Sequence, residues 1–185
     1  MNVEGEPTGP MIHTVRGLVP PERIGRTLPH EHIYFDGYRV TGLSAQLLND
    51  EALACDELAH LVAAGGSCLV ETTTLDLGRN PAGLRRISEA TGLHIVMGTG
   101  WYRQPYYPPE IDRLSTNALA DIMVRELTVG AEGTDIRAGI IGEIGVDRDY
   151  ATAAEERVLR ASARAHHQTG APISTHASLF PVGLV

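Results

Sequence analysis

Patterns typical of strands and helices alternate five times along the chain, and this alternation constrains the fold more than any other sequence feature. Short apolar runs typical of buried strands occupy residues 27–33, 67–73, 93–98, 138–146 and 171–176. Helical patterns lie between these runs, and such an order predicts a parallel sheet whose strands are joined by crossover helices. Because several runs are continuously apolar, two architectures fit, an open doubly wound sheet or a (β/α)8 barrel.

Two of the predicted helices carry clear signals at their ends. The stretch PAGLRRISEATG begins with Pro81 and stops at Gly92, which are the residue types expected at a helix start and stop. In the last helix Thr152 and the residue three positions later, Glu155, have the spacing of a capping box. We interpret residues 1–185 as a single domain that starts with a β-hairpin arm at about residues 11–26.

Composition argues against several classes of function. The formal net charge of −8 disfavours a protein that binds nucleic acid, which needs a basic face. The acidic N-terminal sequence lacks the features of a signal peptide, and no apolar run is long enough for a membrane span. Cys55 and Cys68 have no metal-binding or redox spacing. We therefore expect a cytoplasmic protein with reduced thiols that acts on a small molecule and contacts neither nucleic acid nor membrane.

Polar side chains with metal-binding chemistry lie on three of the predicted strands. His30 and His32 in TLPHEHI are two residues apart and so share one face of an extended strand. Glu143 lies near the end of the fourth strand, and His176 ends the fifth. An isolated H-x-H is more often a surface or core feature, and an unpaired buried carboxylate is costly. Because the carboxyl ends of parallel strands converge on one rim, the four residues together indicate a site for a divalent transition metal.

The sequence also resembles a known family. The chain is similar to the N-terminal half of the phosphotriesterase family, within the amidohydrolase superfamily of metal-dependent hydrolases. The matching stretches run in family order from residue 12 to residue 178: TVRGLV, GRTLPHEHI, ETTTLDLGRNP, GTGWY, GIIGEIGVDRD and AHHQTGAPISTHA. The resemblance implies a TIM-type (β/α)8 barrel of which about the first five β/α units are present.

The resemblance also implies roles for the candidate residues. His30 and His32 would hold the first of two zinc or similar divalent ions, and His176 would hold the second. Glu143 occupies the position of the bridging ligand, which is a carboxylated lysine in many members and a glutamate in the homology-protein branch. Tyr102 matches a tyrosine that lactonase-like members place beside the metals, so we expect it to orient substrate or hydroxide. The implied reaction is hydrolysis of an ester, lactone or phosphotriester by a metal-bridging hydroxide.

Two further ligands of the family, a histidine on strand six and an aspartate on strand eight, have no counterpart before Val185. We therefore expect a truncated chain with impaired or no activity on its own. A homodimer that completes the barrel is a second explanation.

Two other interpretations stay open from the residues alone. A TatD-type metal-dependent nuclease shares the H-x-H start and a motif like GEIGVD, although the acidic charge suits nucleic acid poorly. A non-catalytic metal-binding fragment would also need the four ligands and nothing more. Metal content and turnover on esters, lactones or DNA would separate these interpretations.

Overall fold

A computed structural model of the chain describes residues 9–177. Its strands are β1 (Ile12–Thr14), β2 (Gly17–Val19), β3 (Thr27–Glu31), β4 (Phe35–Asp36), β5 (Leu47–Leu48), β6 (Cys68–Glu71), β7 (His94–Thr99), β8 (Ile140–Val146) and β9 (Ile173–Ala177). Its α-helices are α1 (Tyr38–Thr41), α2 (Glu51–Ala63), α3 (Pro81–Thr91), α4 (Thr116–Thr128) and α5 (Ala153–Thr169). No helix in this part of the chain combines the length and apolar character needed to cross a membrane.

The main sheet has five parallel strands in the order β3-β6-β7-β8-β9. Its strands therefore follow the order of the chain from one end of the sheet to the other. A doubly wound sheet would instead reverse its strand order at a switch point, whereas a barrel keeps chain order throughout. The prediction of an α/β fold built from the first five units of a barrel is confirmed.

Helices α3 and α5 end at the residues that the sequence signals indicate. The side chain of Asn80 accepts a hydrogen bond from the backbone N–H of Gly83, and Pro81 starts α3. Thr152 and Glu155 form a reciprocal capping box at the start of α5. Gly92 and Gly170 follow the two helices with φ angles of 78° and 74°, a left-handed conformation that favours glycine.

The first strand of the main sheet is shorter than predicted, because β3 stops at Glu31 rather than at residue 33. Its register against β6 shifts between Leu28 and Glu31. After the strand, the backbone N–H of Ile33 donates to the carboxylate of Glu71 at 2.6 Å instead of to a strand. His32 therefore lies just beyond the strand, in backbone that a buried side chain holds in place.

The core lies between the sheet and the helices, with β7 at its centre. Every residue of β7 after His94 is buried. Gly98 has a specific role here, because a side chain at this position would overlap the carbonyl oxygen of Gly142 on β8. This close approach lets the backbone N–H of Glu143 donate to the carbonyl of Thr72 at 2.9 Å. The packing of β7 therefore brings Glu143 close to the residues that follow β6.

The N-terminal strands β1 and β2 form an antiparallel pair beside this core. Val15, in the turn between them, is fully buried and donates its backbone N–H to the carbonyl of Ile95 on β7 at 2.9 Å.

Candidate metal centre

Three imidazoles meet around the carboxylate of Glu143. The Nε2 atom of His32 lies 3.2 Å from Oε1 of Glu143, and the Nε2 atom of His30 lies 3.3 Å from Oε2. His176 on β9 approaches the same Oε2 with its Nδ1 atom at 3.0 Å. The carboxylate is 3% exposed, so water cannot solvate it and these rings are its polar partners. The structure therefore brings all four residues of the predicted metal site together.

The environment of His32 fixes which ring nitrogen faces Glu143. The hydroxyl of Thr73 donates to the carbonyl of Tyr34 at 2.6 Å, so its oxygen can only accept from Nδ1 of His32, which lies 2.9 Å away. Nδ1 of His32 therefore carries its proton, and the lone pair of a neutral ring lies on Nε2. A lone pair and a carboxylate oxygen 3.2 Å apart need a proton or a metal ion between them.

The carboxylate of Glu143 and the neighbouring histidine rings shift one another's pKa values toward the charged forms. Burial raises the pKa of Glu143, but hydrogen bonds with His176 and His32 outweigh burial and lower the pKa to about 2. Burial lowers the pKa of His32, but its hydrogen bond with Glu143 and the negative charges of Glu71, Glu143 and Glu31 together outweigh burial and raise the pKa. The carboxylate is therefore ionised at neutral pH and attracts positive charge to the point where the rings converge.

The donor set fits a divalent transition metal. Ligand atoms of His30, His32 and Glu143 all lie within 4.8 Å of one another, so a single ion could contact all three residues. His176 contacts Oε2 of the same carboxylate, the oxygen that His30 also faces, so all three rings share Glu143. The 185-residue sequence contains no lysine, so no carboxylated lysine could take the bridging role. Imidazole and carboxylate are the usual ligands of zinc.

A cavity of about 290 Å³ opens onto this cluster. Its walls are formed by His30, His32, Phe35, Leu48, Tyr102, Glu143 and His176. The hydroxyl of Tyr102 lies 3.0 Å from Nε2 of His176, so this tyrosine is part of the cluster as well as of the wall.

Two buried carboxylates near the cluster are not among the predicted site residues. Glu71 is fully buried and accepts the backbone N–H groups of Ile33 and Tyr34, which hold the chain just after His32. Asp76 is also buried and accepts the backbone N–H of Tyr102. The sequence contains a signal that could have identified Glu71, namely a glutamate within the apolar run SCLVETT. Glu143 lies in an apolar run of the same kind.

Comparisons with known proteins agree with this geometry. The sequence profile described as the phosphotriesterase family matches residues 10–184. The chain is 37% identical to the phosphotriesterase homology protein of Escherichia coli over 86% of this chain and 55% of that protein. It is 35% identical to the N-acetyltaurine hydrolase of Homo sapiens, over 89% of this chain and 56% of that protein.

A solved structure is similar to the chain in fold as well as in sequence. The lactonase from Listeria monocytogenes superposes with a TM-score of 0.83 at 31% identity, over 91% of this chain and 57% of that chain. The chain thus spans about half the length of the relatives it matches. A family match over nearly all residues, a shared fold and four converging candidate ligands lead to one conclusion: the chain belongs to the phosphotriesterase family.

Proposed function

We propose that the chain forms the metal-binding half of a zinc-dependent hydrolase that cleaves carboxylic esters or lactones. One observation carries the proposal: three imidazoles converge on the buried carboxylate of Glu143, and a proton or a metal ion must lie between Nε2 of His32 and the carboxylate oxygen 3.2 Å away. A divalent ion bound there would polarise a substrate carbonyl and lower the pKa of a water molecule, so that a hydroxide nucleophile exists at neutral pH.

In this proposal each residue has a distinct task. His30 and His32 would hold one ion, His176 would hold a second, and both ions would share Glu143. Thr73 keeps the ring of His32 in the tautomer that binds metal through Nε2. Tyr102 lines the cavity and orients the substrate or the attacking oxygen.

The walls of the cavity favour an uncharged substrate. Phe35 and Leu48 contribute apolar surface, and none of the described residues that line the cavity is an arginine. Apart from the proposed zinc ions, a sulfonate or a phosphate diester would find no cationic partner among the described residues that line the cavity. We therefore favour a lactone or simple ester over the taurine amide named for one relative, with phosphotriester hydrolysis as a side activity.

The metal site is tested by zinc binding. After zinc loading and removal of excess metal, we expect the chain to retain zinc by elemental analysis. The double variant His30→Ala/His32→Ala should lose the binding, because it removes two ligands of the same ion. The matched control is His166→Ala/His167→Ala, which removes two exposed histidines from the last turn of α5. Zinc at background level in the unmodified chain would contradict the proposed site.

Substrate class is tested with a chimera that joins this chain to the C-terminal half of the E. coli phosphotriesterase homology protein. The zinc-loaded chimera and the unmodified E. coli protein are compared by kcat/KM on a lactone panel, N-acetyltaurine and an aryl dialkyl phosphate. Differences between the two then report on the half that this chain contributes. We expect lactones to be preferred. A tenfold preference for the phosphotriester, about 1.4 kcal/mol of transition-state discrimination, would overturn this assignment.

A further inference from the structure

We propose that Tyr102 is a positioning residue that selects the ring nitrogen with which His176 binds metal; this inference rests on the proposed function. The hydroxyl of Tyr102 lies 3.0 Å from Nε2 of His176, while Nδ1 of the same ring lies 3.0 Å from Glu143. A hydrogen bond from Nε2–H to the tyrosine oxygen leaves the lone pair of a neutral ring on Nδ1. That nitrogen faces the shared carboxylate, where the second ion is proposed to bind.

Tyr102 can perform this task because its backbone is held from both sides. Its N–H donates to the two carboxylate oxygens of Asp76 at 3.1 and 3.0 Å. Its carbonyl accepts from the N–H of Gly145 on β8 at 2.6 Å, two residues after Glu143. The position of Tyr102 is therefore fixed relative to the strand that carries the bridging ligand.

The aromatic ring of Tyr102 is held as firmly as its backbone. The guanidinium carbon of Arg103 lies 4.8 Å from the ring centroid, and Asp147 pairs with that guanidinium at 2.9 Å. The rings of Tyr102 and His176 meet edge to face with centroids 4.9 Å apart. Such contacts on a residue that is 6% exposed leave its hydroxyl little freedom to turn away from His176.

Asp76 holds the backbone of Tyr102 in place and is itself held by two neighbours. Its carboxylate accepts the hydroxyl of Thr74 at 2.6 Å, and its backbone carbonyl accepts from the guanidinium of Arg39. None of these groups forms a hydrogen bond or an ion pair with His30, His32, Glu143 or His176. Asp76 therefore acts on the metal site only through Tyr102, and its effect should follow that of Tyr102.

A tyrosine hydroxyl suits this place because it accepts and donates at once. When its oxygen accepts from Nε2–H of His176, its own proton is free to point into the cavity that Tyr102 lines. The same hydroxyl can then donate to an oxygen of the substrate. Phenylalanine at this position would remove both functions while preserving the ring and its contacts.

The chain offers a matched control, because Tyr106 packs beside Tyr102 with ring centroids 5.4 Å apart and is equally buried. In the zinc-loaded chain, Tyr102→Phe should weaken binding of the second zinc by about tenfold or more, with the first zinc unaffected. Tyr106→Phe should leave both affinities unchanged. Affinities are measured by competition with a chromophoric chelator, and denaturation of the metal-free variants checks that each is folded.

A second measurement identifies the nitrogen of His176 that binds zinc. In the zinc-loaded chain, ¹⁵N NMR of the histidine rings should show a protonated Nε2 and a metal-bound Nδ1 in His176, with this preference reduced in Tyr102→Phe. Equal zinc affinities in the two proteins, or zinc on Nε2, would overturn the role of Tyr102 and leave the metal site intact. Failure of the unmodified chain to bind zinc would instead overturn the proposed function and this inference together.

Discussion

Buried carboxylates hold the backbone around the candidate site, and Asp76 shows the energetic cost of this arrangement. Burial raises the pKa of Asp76 from an ordinary value of 3.8 to about 6, although hydrogen bonds from Thr74 and Tyr102 oppose the change. A carboxyl with a raised pKa favours the folded state most when it is protonated. Its contribution to stability is full below pH 3.8 and is lost as the pH rises through about 6.

The variant Asp76→Asn should remove this pH dependence. We expect the difference in free energy of unfolding between the unmodified chain and the variant to fall by about 2 kcal/mol from pH 4 to pH 7, since each pKa unit corresponds to about 1.4 kcal/mol and the carboxyl is already partly ionised in the unfolded chain at pH 4. Urea denaturation of the metal-free proteins at several pH values measures this difference, and groups common to both cancel. Asp112→Asn, at a carboxylate that is 77% exposed, is the control. If the free energies of unfolding of the unmodified chain and Asp76→Asn changed with pH in parallel, the raised pKa of Asp76 would be contradicted.

For single residues, the sequence predicts the candidate metal ligands better than it predicts the residues that position them. His30, His32, Glu143 and His176 could be grouped because the predicted strands place each near a carboxyl end, and such ends converge in a parallel sheet, although Glu143 lies in the middle of β8 in the structure. Asp76 accepts a hydrogen bond from a backbone N–H that is 26 residues away, and such a partner leaves no pattern in the sequence.

Among the elements, the start of α5 connects the helix to two loops near the site. Glu155 is fully buried and completes the capping box by accepting the backbone N–H of Thr152 at 2.9 Å. Its other oxygen accepts the N–H groups of Asp147 and Gln104 at 2.9 and 3.3 Å. One side chain thus satisfies donors from the helix, from the end of β8 and from the loop after β7.

Replacing Glu155 by alanine should therefore destabilise the fold far more than loss of an ordinary cap. We expect Glu155→Ala to reduce the free energy of unfolding by about 3 kcal/mol, because buried backbone donors lose a charged acceptor. The neighbouring Glu156 is exposed and pairs with Arg160 on the surface, so Glu156→Ala should cost less than about 1 kcal/mol. Urea denaturation compares the two variants, and equal losses would show that the links to the loops contribute nothing.

Element boundaries were predictable where the signals are local. Pro81 and Gly92 bound α3, and Thr152 with Glu155 starts α5, because capping depends on residues within one turn. The end of β3 was not predictable in the same way. Its register shift and the hydrogen bond from Ile33 to Glu71 depend on pairing with a strand 40 residues later, and the apolar run TLPHEHI continues past the point where pairing stops.

On the scale of the whole molecule, the end of the sheet at β3 exposes apolar surface. Within residues 9–177, β3 pairs with β6 alone, and a cavity of about 280 Å³ lies beside it. Four of the residues that line this cavity are leucines more than a third exposed: Leu28, Leu47, Leu48 and Leu53. Unpaired strand backbone next to such a cluster is a ready template for association.

We therefore expect the 19.9-kDa chain to associate in solution, with a mass by light scattering that exceeds the monomer and rises with concentration. Leu53→Glu should shift the equilibrium toward monomer, because it places a charge among the exposed leucines on a chain that already carries a net charge of −8. Val129→Glu is the control, since Val129 is 65% exposed after α4 and does not line this cavity. If both variants dissociate the chain equally, general charge repulsion is the cause. A monodisperse monomer with a cooperative melt would contradict association at β3, because the exposed edge and leucines would then be stable in water.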